Sequence, residues 1–234
     1  IAFEGEDLEA SNTARWRSRR RDLQLIFQDS RSALDPRLRI DAQVAEGLDI
    51  HGIATSSDRR AMVNAMLEAV GLGGDLATRY PHELSGGQQQ RAVIARALVL
   101  EPKLVVCDEP VAALDVSVQA QVVNLLRDLQ RRFGLAYLFI SHDLSVVRHV
   151  ADRVAVMYLG RFVEVASRDA LFAAPAHPYA RALIGAVPAA RSRHGRKVRP
   201  LTLDGEPPSP LHPPAGCALN PRCPFATERC RSER

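Results

Sequence analysis

Two short apolar runs, each followed at once by polar residues, constrain this fold most. The run 104–107 is followed by Asp108 and Glu109, and the run 136–140 leads to His142. Runs of this length are typical of buried parallel strands, and the segment between them has helical spacing. The pattern predicts a βαβ unit whose polar side chains lie at the carboxyl ends of the strands, where α/β sheets bind ligands.

The connecting helix is predicted over residues 117–133. Gly134 follows it as a natural C-terminal stop. Apolar side chains at helical spacing are predicted to face inward: Val118, Val122, Leu125 and Leu129.

The rest of the chain is predicted to extend this core and to interrupt it. Residues 23–27 read as a short buried strand, and the polar loop after them opens on Gln28. Residues 154–158 and 162–165 read as a further strand pair. We therefore expect an α/β core built from residues 1–40 and 101–165.

Residues 41–100 are predicted to form a helical insertion, with Gly71 ending one of its helices. Prolines accumulate after residue 166, so residues 166–234 are expected to be an irregular appendage with little core of its own. One helix of the insertion is predicted to bury an apolar face: Met62, Ala65, Met66, Ala69 and Val70.

A Gly-Gly pair stands where a helix is predicted to begin. Ser85, Gly86, Gly87 and Gln88 precede an apolar periodic segment, so they occupy a helix N-terminus. Free N–H groups and the positive end of the helix dipole suit a phosphate there, and glycine lets the backbone approach it. A Gly-Gly turn taken alone is more often structural.

The two carboxylates after the first strand supply two different kinds of chemistry. One can hold Mg²⁺ and the other can polarise an attacking water. Asp108 and Glu109 could instead cap the following helix, and a lone histidine such as His142 is more often structural. Cys107 reads as a small buried hydrophobic residue.

Charge and composition exclude several classes of protein. The formal net charge of +4 is modest, and the basic clusters at 15–21 and 191–199 favour solvated surface because no nucleic-acid motif accompanies them. No apolar stretch is long enough to cross a bilayer, so a cytosolic chain is expected. A Gly-rich loop ending in Lys-Ser or Lys-Thr is missing, since Lys103 and Lys197 lie in other contexts.

In order and spacing these motifs resemble the nucleotide-binding subunits of ABC transporters. The resemblance implies an α/β, P-loop NTPase-type ABC ATPase core with a parallel sheet, an inserted helical subdomain and a C-terminal appendage. It implies ATP and Mg²⁺ as ligands, and a fragment that lacks the phosphate loop and the extreme C-terminus. By this resemblance Asp108 holds Mg²⁺, Glu109 is the general base, His142 contacts the γ-phosphate, and Gln28 reaches Mg²⁺ and the water.

The same resemblance assigns the remaining site residues to an interface between subunits. The segment 85–88 matches the signature motif, which binds the γ-phosphate of ATP held by the opposite subunit of a head-to-tail dimer. Asp115 matches the D-loop and is expected at the dimer seam. The implied partner is a second, identical or homologous ABC ATPase subunit.

The loop 29–37 and the tail segments 177–183 and 205–210 resemble peptide-importer ATPases. Pro and Asn more often stand in that family at Ser30 and Asp35. The resemblance implies an ATPase that powers di- and oligopeptide import from the cytoplasmic face of the membrane. Its further partners would be two transmembrane permease subunits and an extracytoplasmic peptide-binding protein, with no nucleic acid.

Several alternatives stay open at this stage. Cys217, Cys223 and Cys230 are either plain thiols or ligands of a [4Fe-4S] cluster whose fourth ligand lies outside this sequence. The chain could be a catalytically silent partner that offers only its signature motif, or an ATPase for nickel or another solute. A soluble ABC protein of DNA repair or translation is a further alternative, which would lack the peptide-importer tail.

Overall fold

A computed structural model describes residues 2–7, 14–30, 32–53, 55–187 and 201–233. They fall into two compact units, Ile1–His142 and Asp143–Arg234. The first unit contains these strands and helices in chain order: β1 (Ala2–Phe3), β2 (Glu6–Asp7), α1 (Ala14–Asp22), β3 (Leu23–Ile26), α2 (Ile40–His51), α3 (Ser56–Ala69), α4 (Gly86–Leu98), β4 (Leu104–Asp108), α5 (Val116–Phe133) and β5 (Ala136–Ile140).

The sheet of the first unit has three parallel strands in the order β3-β4-β5. The central strand β4 pairs with both neighbours, so that Cys107 lies beside Ile26 and Asp108 lies beside Ile140. Strands β4 and β5 are joined by α5, which confirms the predicted βαβ unit. The polar residues that follow all three strands therefore lie at one edge of the sheet.

Helix α5 buries a slightly different set of residues from the predicted one. Val122 and Leu129 are buried as expected, but Leu126 is fully buried while Leu125 is only partly buried. Gly134 ends the helix with a φ of 65°, in the left-handed region that favours glycine, as predicted.

Strand β5 is less buried than predicted. Its residues alternate between exposed and partly buried, and Leu138 and Ile140 are both exposed. In β3, Leu25 is exposed while Ile26 is fully buried, and Phe27 lies outside the strand. Parallel strands are usually buried on both faces, whereas one apolar face of this sheet is accessible here.

The helical insertion contains α2, α3 and α4, with short 3₁₀ helices at Gly74–Thr78 and Pro81–Glu83. Gly71 follows α3 with a φ of 75° and ends it as predicted. The predicted apolar face was partly wrong, because Ala65 is exposed. The residues that α3 and its cap bury are Val63, Met66, Leu67 and Val70.

The second unit is built around an antiparallel strand pair, as predicted, and two helices pack against it. Leu171, Ala180 and Ile184 of those helices are buried in one cluster with Val154 and Val156. The unit contains α6 (Leu144–Val150), β6 (Arg153–Tyr158), β7 (Arg161–Ser167), α7 (Arg168–Ala173), α8 (Pro178–Gly185) and α9 (Glu228–Ser232).

The expectation of an irregular tail therefore holds for only part of it. Residues 201–227 are mostly irregular, with a 3₁₀ helix at Asn220–Arg222, and still bury Leu219. Residues 168–185 are instead mostly helical and contribute to a core. Among the described residues, no helix combines the length and hydropathy needed to cross a bilayer.

The His-Pro-Tyr sequence of the tail forms the beginning of α8. Glu164 accepts hydrogen bonds from the backbone N–H groups of Ala176 (3.0 Å) and His177 (2.8 Å). The His177 Nδ1 atom accepts from the N–H of Tyr179 at 3.2 Å, and Tyr179 packs its ring against Tyr158. Burial lowers the pKa of His177, while the nearby Glu164 opposes this shift. The motif is thus an N-terminal cap that anchors α8 to the strand pair.

We predict that His177 makes the second unit less stable at acidic pH. Because folding lowers its pKa, its contribution is complete above the unfolded value of about 6.5 and is lost as pH falls below that value. Thermal unfolding followed by circular dichroism at about pH 7.5 and about pH 5.5 will show a larger loss in the wild type than in His177→Asn. Asparagine can still cap α8 but does not titrate. Equal losses in the two proteins would contradict this role.

Helix α5 offers a matched pair of neighbouring leucines for a stability test. Leu126→Ala is expected to cost about 2–5 kcal/mol of unfolding free energy, because it empties a fully buried position. Leu125→Ala is expected to cost clearly less, since Leu125 is only partly buried. Urea denaturation of both variants measures the difference, and the reverse order would favour the burial pattern predicted from the sequence.

Candidate functional site

Glu109 is the centre of the candidate site at the carboxyl edge of the sheet. One of its carboxylate oxygens, Oε2, accepts a hydrogen bond from Gln28 Nε2 at 3.1 Å. The other, Oε1, lies 2.9 Å from His142 Nδ1. Gln28 follows β3, Glu109 follows β4 and His142 follows β5, so the structure brings together three residues predicted from three separate strand ends.

The backbone of Glu109 is held in an unusual conformation. Its φ of 45° lies in the left-handed region, which costs a non-glycine residue free energy. Its N–H donates to the carbonyl of Ile140 at 3.0 Å, and its carbonyl accepts from the N–H of Ala112 at 3.2 Å. The first bond extends the pairing of β4 with β5 by one residue, and the second closes a turn after Glu109. Hydrogen bonds therefore hold both the backbone and the side chain of Glu109.

This arrangement is suited to proton abstraction at the rim of the sheet. The Glu109 side chain is about one-quarter exposed and that of His142 about three-quarters exposed, so a ligand can approach both. A carboxylate whose two oxygens are held by an amide and an imidazole is oriented before any substrate binds. The imidazole donates to Glu109 from Nδ1 in the tautomer that carries its proton there.

Asp108 lies exposed at the end of β4, directly before Glu109. It is available for a cation at the same edge as Gln28. Mg²⁺ suits such a place, because it keeps several waters and needs only one or two protein carboxylates. The alternative that these carboxylates cap the next helix does not fit, since the N-cap of α5 is Asp115.

Ser85 begins α4 with reciprocal hydrogen bonds. Its Oγ accepts from the N–H of Gln88 at 3.3 Å, and its own N–H donates to Gln88 Oε1 at 3.0 Å. This is a capping box, which satisfies two of the N–H groups that a helix start leaves unpaired. Gly86 and Gly87 form the first helical positions, where a phosphate would meet backbone N–H groups.

The two glycines of α4 differ in their surroundings. A Cβ at Gly87 would lie 2.5 Å from the Val118 side chain of α5, whereas a Cβ at Gly86 would lie 3.7 Å from Leu114. Gly87 is therefore required for close packing of α4 on α5. Asp115, which precedes α5, is exposed, and its side chain makes no cap hydrogen bond to the start of that helix.

The departure from the family pattern at Asp35 preserves the local turn. Asp35 Oδ1 accepts from the N–H of Arg37 at 2.9 Å, two residues further on, which an asparagine oxygen would also do. The hydrogen bond from the Arg37 side chain lowers the pKa of Asp35. Ser30, the other departure, is buried.

Two polar residues that bind the loop after Gln28 were missed by sequence reasoning. Gln43 Nε2 donates to the carbonyls of Asp35 (3.0 Å) and Leu38 (2.9 Å), and its Oε1 accepts from the N–H of Asp35 at 2.9 Å. Arg96 Nη1 donates to the carbonyl of Ala33 at 2.6 Å. The one available signal was an amide on the apolar face of α2, where Gln43 is only 2% exposed.

Cysteine chemistry differs between the two units. Cys107 is fully buried in β4, and burial raises the pKa of its thiol to about 12, as expected of a structural residue. Cys217 donates its backbone N–H to the carbonyl of Cys230 at 2.9 Å. Within the described ranges, no group of three His, Cys, Asp or Glu side chains is arranged to hold a metal. The iron-sulfur interpretation of Cys217, Cys223 and Cys230 therefore lacks structural support.

Comparison with solved structures defines the class of protein. The chain is similar to the dimeric structure of a post-hydrolysis state of the ATP-binding cassette MJ0796 bound to ADP and Pi. The TM-score is 0.61 at 27% identity, over 71% of this chain and 72% of that one. The fold is that of an ABC ATPase, as predicted.

Sequence comparisons agree with this class. The family model described as ABC transporter matches residues 1–112, and the model described as oligopeptide/dipeptide transporter, C-terminal region, matches residues 163–230. The chain is 51% identical to the di/tripeptide transport ATP-binding protein DppF of Pseudomonas aeruginosa, covering all of this chain and 72% of the relative.

Two further relatives show similar values. The oligopeptide transport ATP-binding protein OppF of Salmonella typhimurium is 51% identical, over all of this chain and 70% of the relative. A putative peptide import ATP-binding protein of Brucella abortus is 52% identical, over 99% of this chain and 68% of the relative. The chain therefore belongs to the ATP-binding proteins of the ABC transporter family.

We predict different outcomes for alanine at the two glycines. Gly87→Ala is expected to destabilise the protein by about 1–3 kcal/mol, because the new methyl group would lie 2.5 Å from the Val118 side chain and valine is stiff about its first torsion angle. Gly86→Ala is expected to be milder, since its nearest neighbour is at ordinary contact distance. Chemical denaturation of both variants measures the costs.

Val118→Ala should restore most of the stability lost in Gly87→Ala, because it removes the clashing methyl group. If the double variant is no more stable than Gly87→Ala, close packing against α5 is not what requires this glycine.

Proposed function

We propose that this protein is an ATP-hydrolysing subunit that powers the import of di- or oligopeptides through an ABC transporter. The observation that carries the proposal is the Glu109 carboxylate held between Gln28 and His142 at the end of a strand. Supporting evidence comes from relatives named as di/tripeptide and oligopeptide transport ATP-binding proteins. The matching C-terminal region of oligopeptide and dipeptide transporters favours a peptide over nickel or another solute.

In this proposal Glu109 is the general base. Its carboxylate accepts a proton from the water that attacks the γ-phosphate, while Gln28 and His142 keep it oriented. His142 is exposed enough for its other ring nitrogen, Nε2, to reach the γ-phosphate. It donates a hydrogen bond there, while Nδ1 donates to Glu109, only when both ring nitrogens carry a proton. Asp108 and the side-chain oxygen of Gln28 are the residues that would hold Mg²⁺, which neutralises phosphate charge when bound.

The signature residues would act on a second subunit. Ser85, Gly86, Gly87 and Gln88 form a capped helix start that suits the γ-phosphate of ATP held by the opposite subunit. Asp115 is exposed and directly precedes α5, the helix that packs against Gly87. We propose that Asp115 lies at the dimer seam. An identical or homologous ABC ATPase subunit is the proposed partner.

The remaining partners follow from the kind of system. We infer that the protein works at the cytoplasmic face of the membrane with two transmembrane permease subunits and an extracytoplasmic peptide-binding protein. A [4Fe-4S] cluster at Cys217, Cys223 and Cys230 would be an addition to this function and is not needed for it. Iron analysis of protein purified without oxygen tests for the cluster directly.

The proposal is tested by Glu109→Gln in the complete protein assembled with its transporter. ATP hydrolysis is expected to fall by about 10²–10⁴-fold, because glutamine keeps the shape of the side chain but cannot take a proton. Binding of ATP, measured by equilibrium dialysis, is expected to persist. Phosphate release under saturating ATP gives the rate.

Glu101→Gln is a matched control for this experiment. Glu101 is exposed and shares the left-handed backbone of Glu109, with a φ of 52°, but it lies before β4, at the opposite end of the strand. Its substitution should leave hydrolysis unchanged. Undiminished hydrolysis in Glu109→Gln would contradict the catalytic assignment and favour a silent subunit that offers only its signature motif.

A further inference from the structure

The loop 29–39 is fastened to two helices of the insertion. Gln43 of α2 holds the backbone at Asp35 and Leu38, and Arg96 of α4 holds it at Ala33. All of these contacts are made to backbone atoms, so they fix the path of the loop whatever side chains it carries.

Gln43 is committed entirely to this loop. Both N–H bonds of its amide donate to loop carbonyls, and its oxygen accepts a loop N–H. The side chain is 2% exposed, so water cannot readily replace these partners. Loss of the amide would leave backbone groups of Asp35 and Leu38 without these partners, and the loop would move away from α2 to pair them with water.

The fastened part of the loop is close in sequence to the catalytic glutamine. Six residues separate Gln28 from Asp35, and two of them, Ser30 and Leu34, are buried. The N–H of Ala33 donates to the carbonyl of Asp29 at 3.2 Å, so a backbone hydrogen bond links these two residues. Because the segment is short and carries its own hydrogen bond, holding Asp35 in place also restricts where Gln28 can lie.

We propose that Gln43 and Arg96 are positioning residues that keep Gln28 in contact with the Glu109 carboxylate. Arg96 lies on α4, the helix that begins at the signature residues 85–88. In the proposed function, α4 contacts the nucleotide of the partner subunit, and Glu109 acts on the nucleotide bound by its own subunit. The loop connects α4 to Gln28, which contacts Glu109. This inference rests on the proposed function. It adds the two residues, Gln43 and Arg96, that connect the signature helix to the contact between Gln28 and Glu109.

A double-mutant cycle in the complete, assembled ATPase tests this inference. Gln43→Leu nearly preserves the side-chain volume and removes all three hydrogen bonds. It is expected to lower kcat on the order of tenfold to a hundredfold with little change in KM for ATP. If Gln43 acts through Gln28, then Gln43→Leu will cause no further loss in a Gln28→Ala background.

The arginines of α4 provide a second cycle with a matched control. Arg96→Met is expected to behave like Gln43→Leu, with a loss of kcat that disappears in the Gln28→Ala background. Arg91 is on the same helix and also donates to a backbone carbonyl, that of Val70 at 2.9 Å, which lies outside the loop. Any effect of Arg91→Met should be the same with and without Gln28→Ala.

The outcomes separate this inference from the proposed function. Equal fold-losses for Gln43→Leu and Arg96→Met in both backgrounds would overturn the positioning role while leaving the ATPase assignment intact. Unaltered hydrolysis in Glu109→Gln would overturn both. Should Gln43→Leu fail to fold, the Arg96→Met cycle decides the question by itself, since Arg96 is only partly buried.

Discussion

The pairing of β4 with a parallel strand on each side is the constraint on which the candidate site depends. Because the carboxyl ends of parallel strands lie at the same edge of a sheet, the residues that follow β3, β4 and β5 lie close together. Val105 and Cys107 are fully buried beneath this edge, so the position of Glu109 is set by core packing. The bond from the Glu109 N–H to Ile140 then carries the pairing past the strand, into the turn that aims the carboxylate.

Residues that follow apolar runs could be predicted from the sequence, whereas residues that act through long-range hydrogen bonds could not. Glu109 and His142 each follow a strand whose composition marks it, and Gln28 needed the family resemblance as well. Arg96 and its partner are 63 residues apart, and no periodicity encodes such a pair. The choice between Leu125 and Leu126 in α5 failed for another reason, since both continue a helical spacing from Val122.

The signature segment shows how one short motif answers two physical demands. Ser85 and Gln88 cap each other, which stabilises the helix start before any phosphate arrives. Gly87 has a packing requirement of its own at Val118, so a glycine there is explained without reference to a ligand. Packing leaves room for a side chain at Gly86, so packing does not explain why a glycine stands there. Gly86 is therefore the better indication that a bound group approaches the backbone closely.

Helix α4 is the common support of both halves of the proposed mechanism. Its central residues are small and fully buried, as at Ala92 and Ala95, which lets the helix lie close to its neighbours. One end of the helix presents the capped glycines, and Arg96 near the other end holds the loop that follows Gln28. A displacement of α4 therefore cannot alter one end alone. Whatever moves the signature residues also moves the anchor of the loop, because close packing makes the helix shift as a unit.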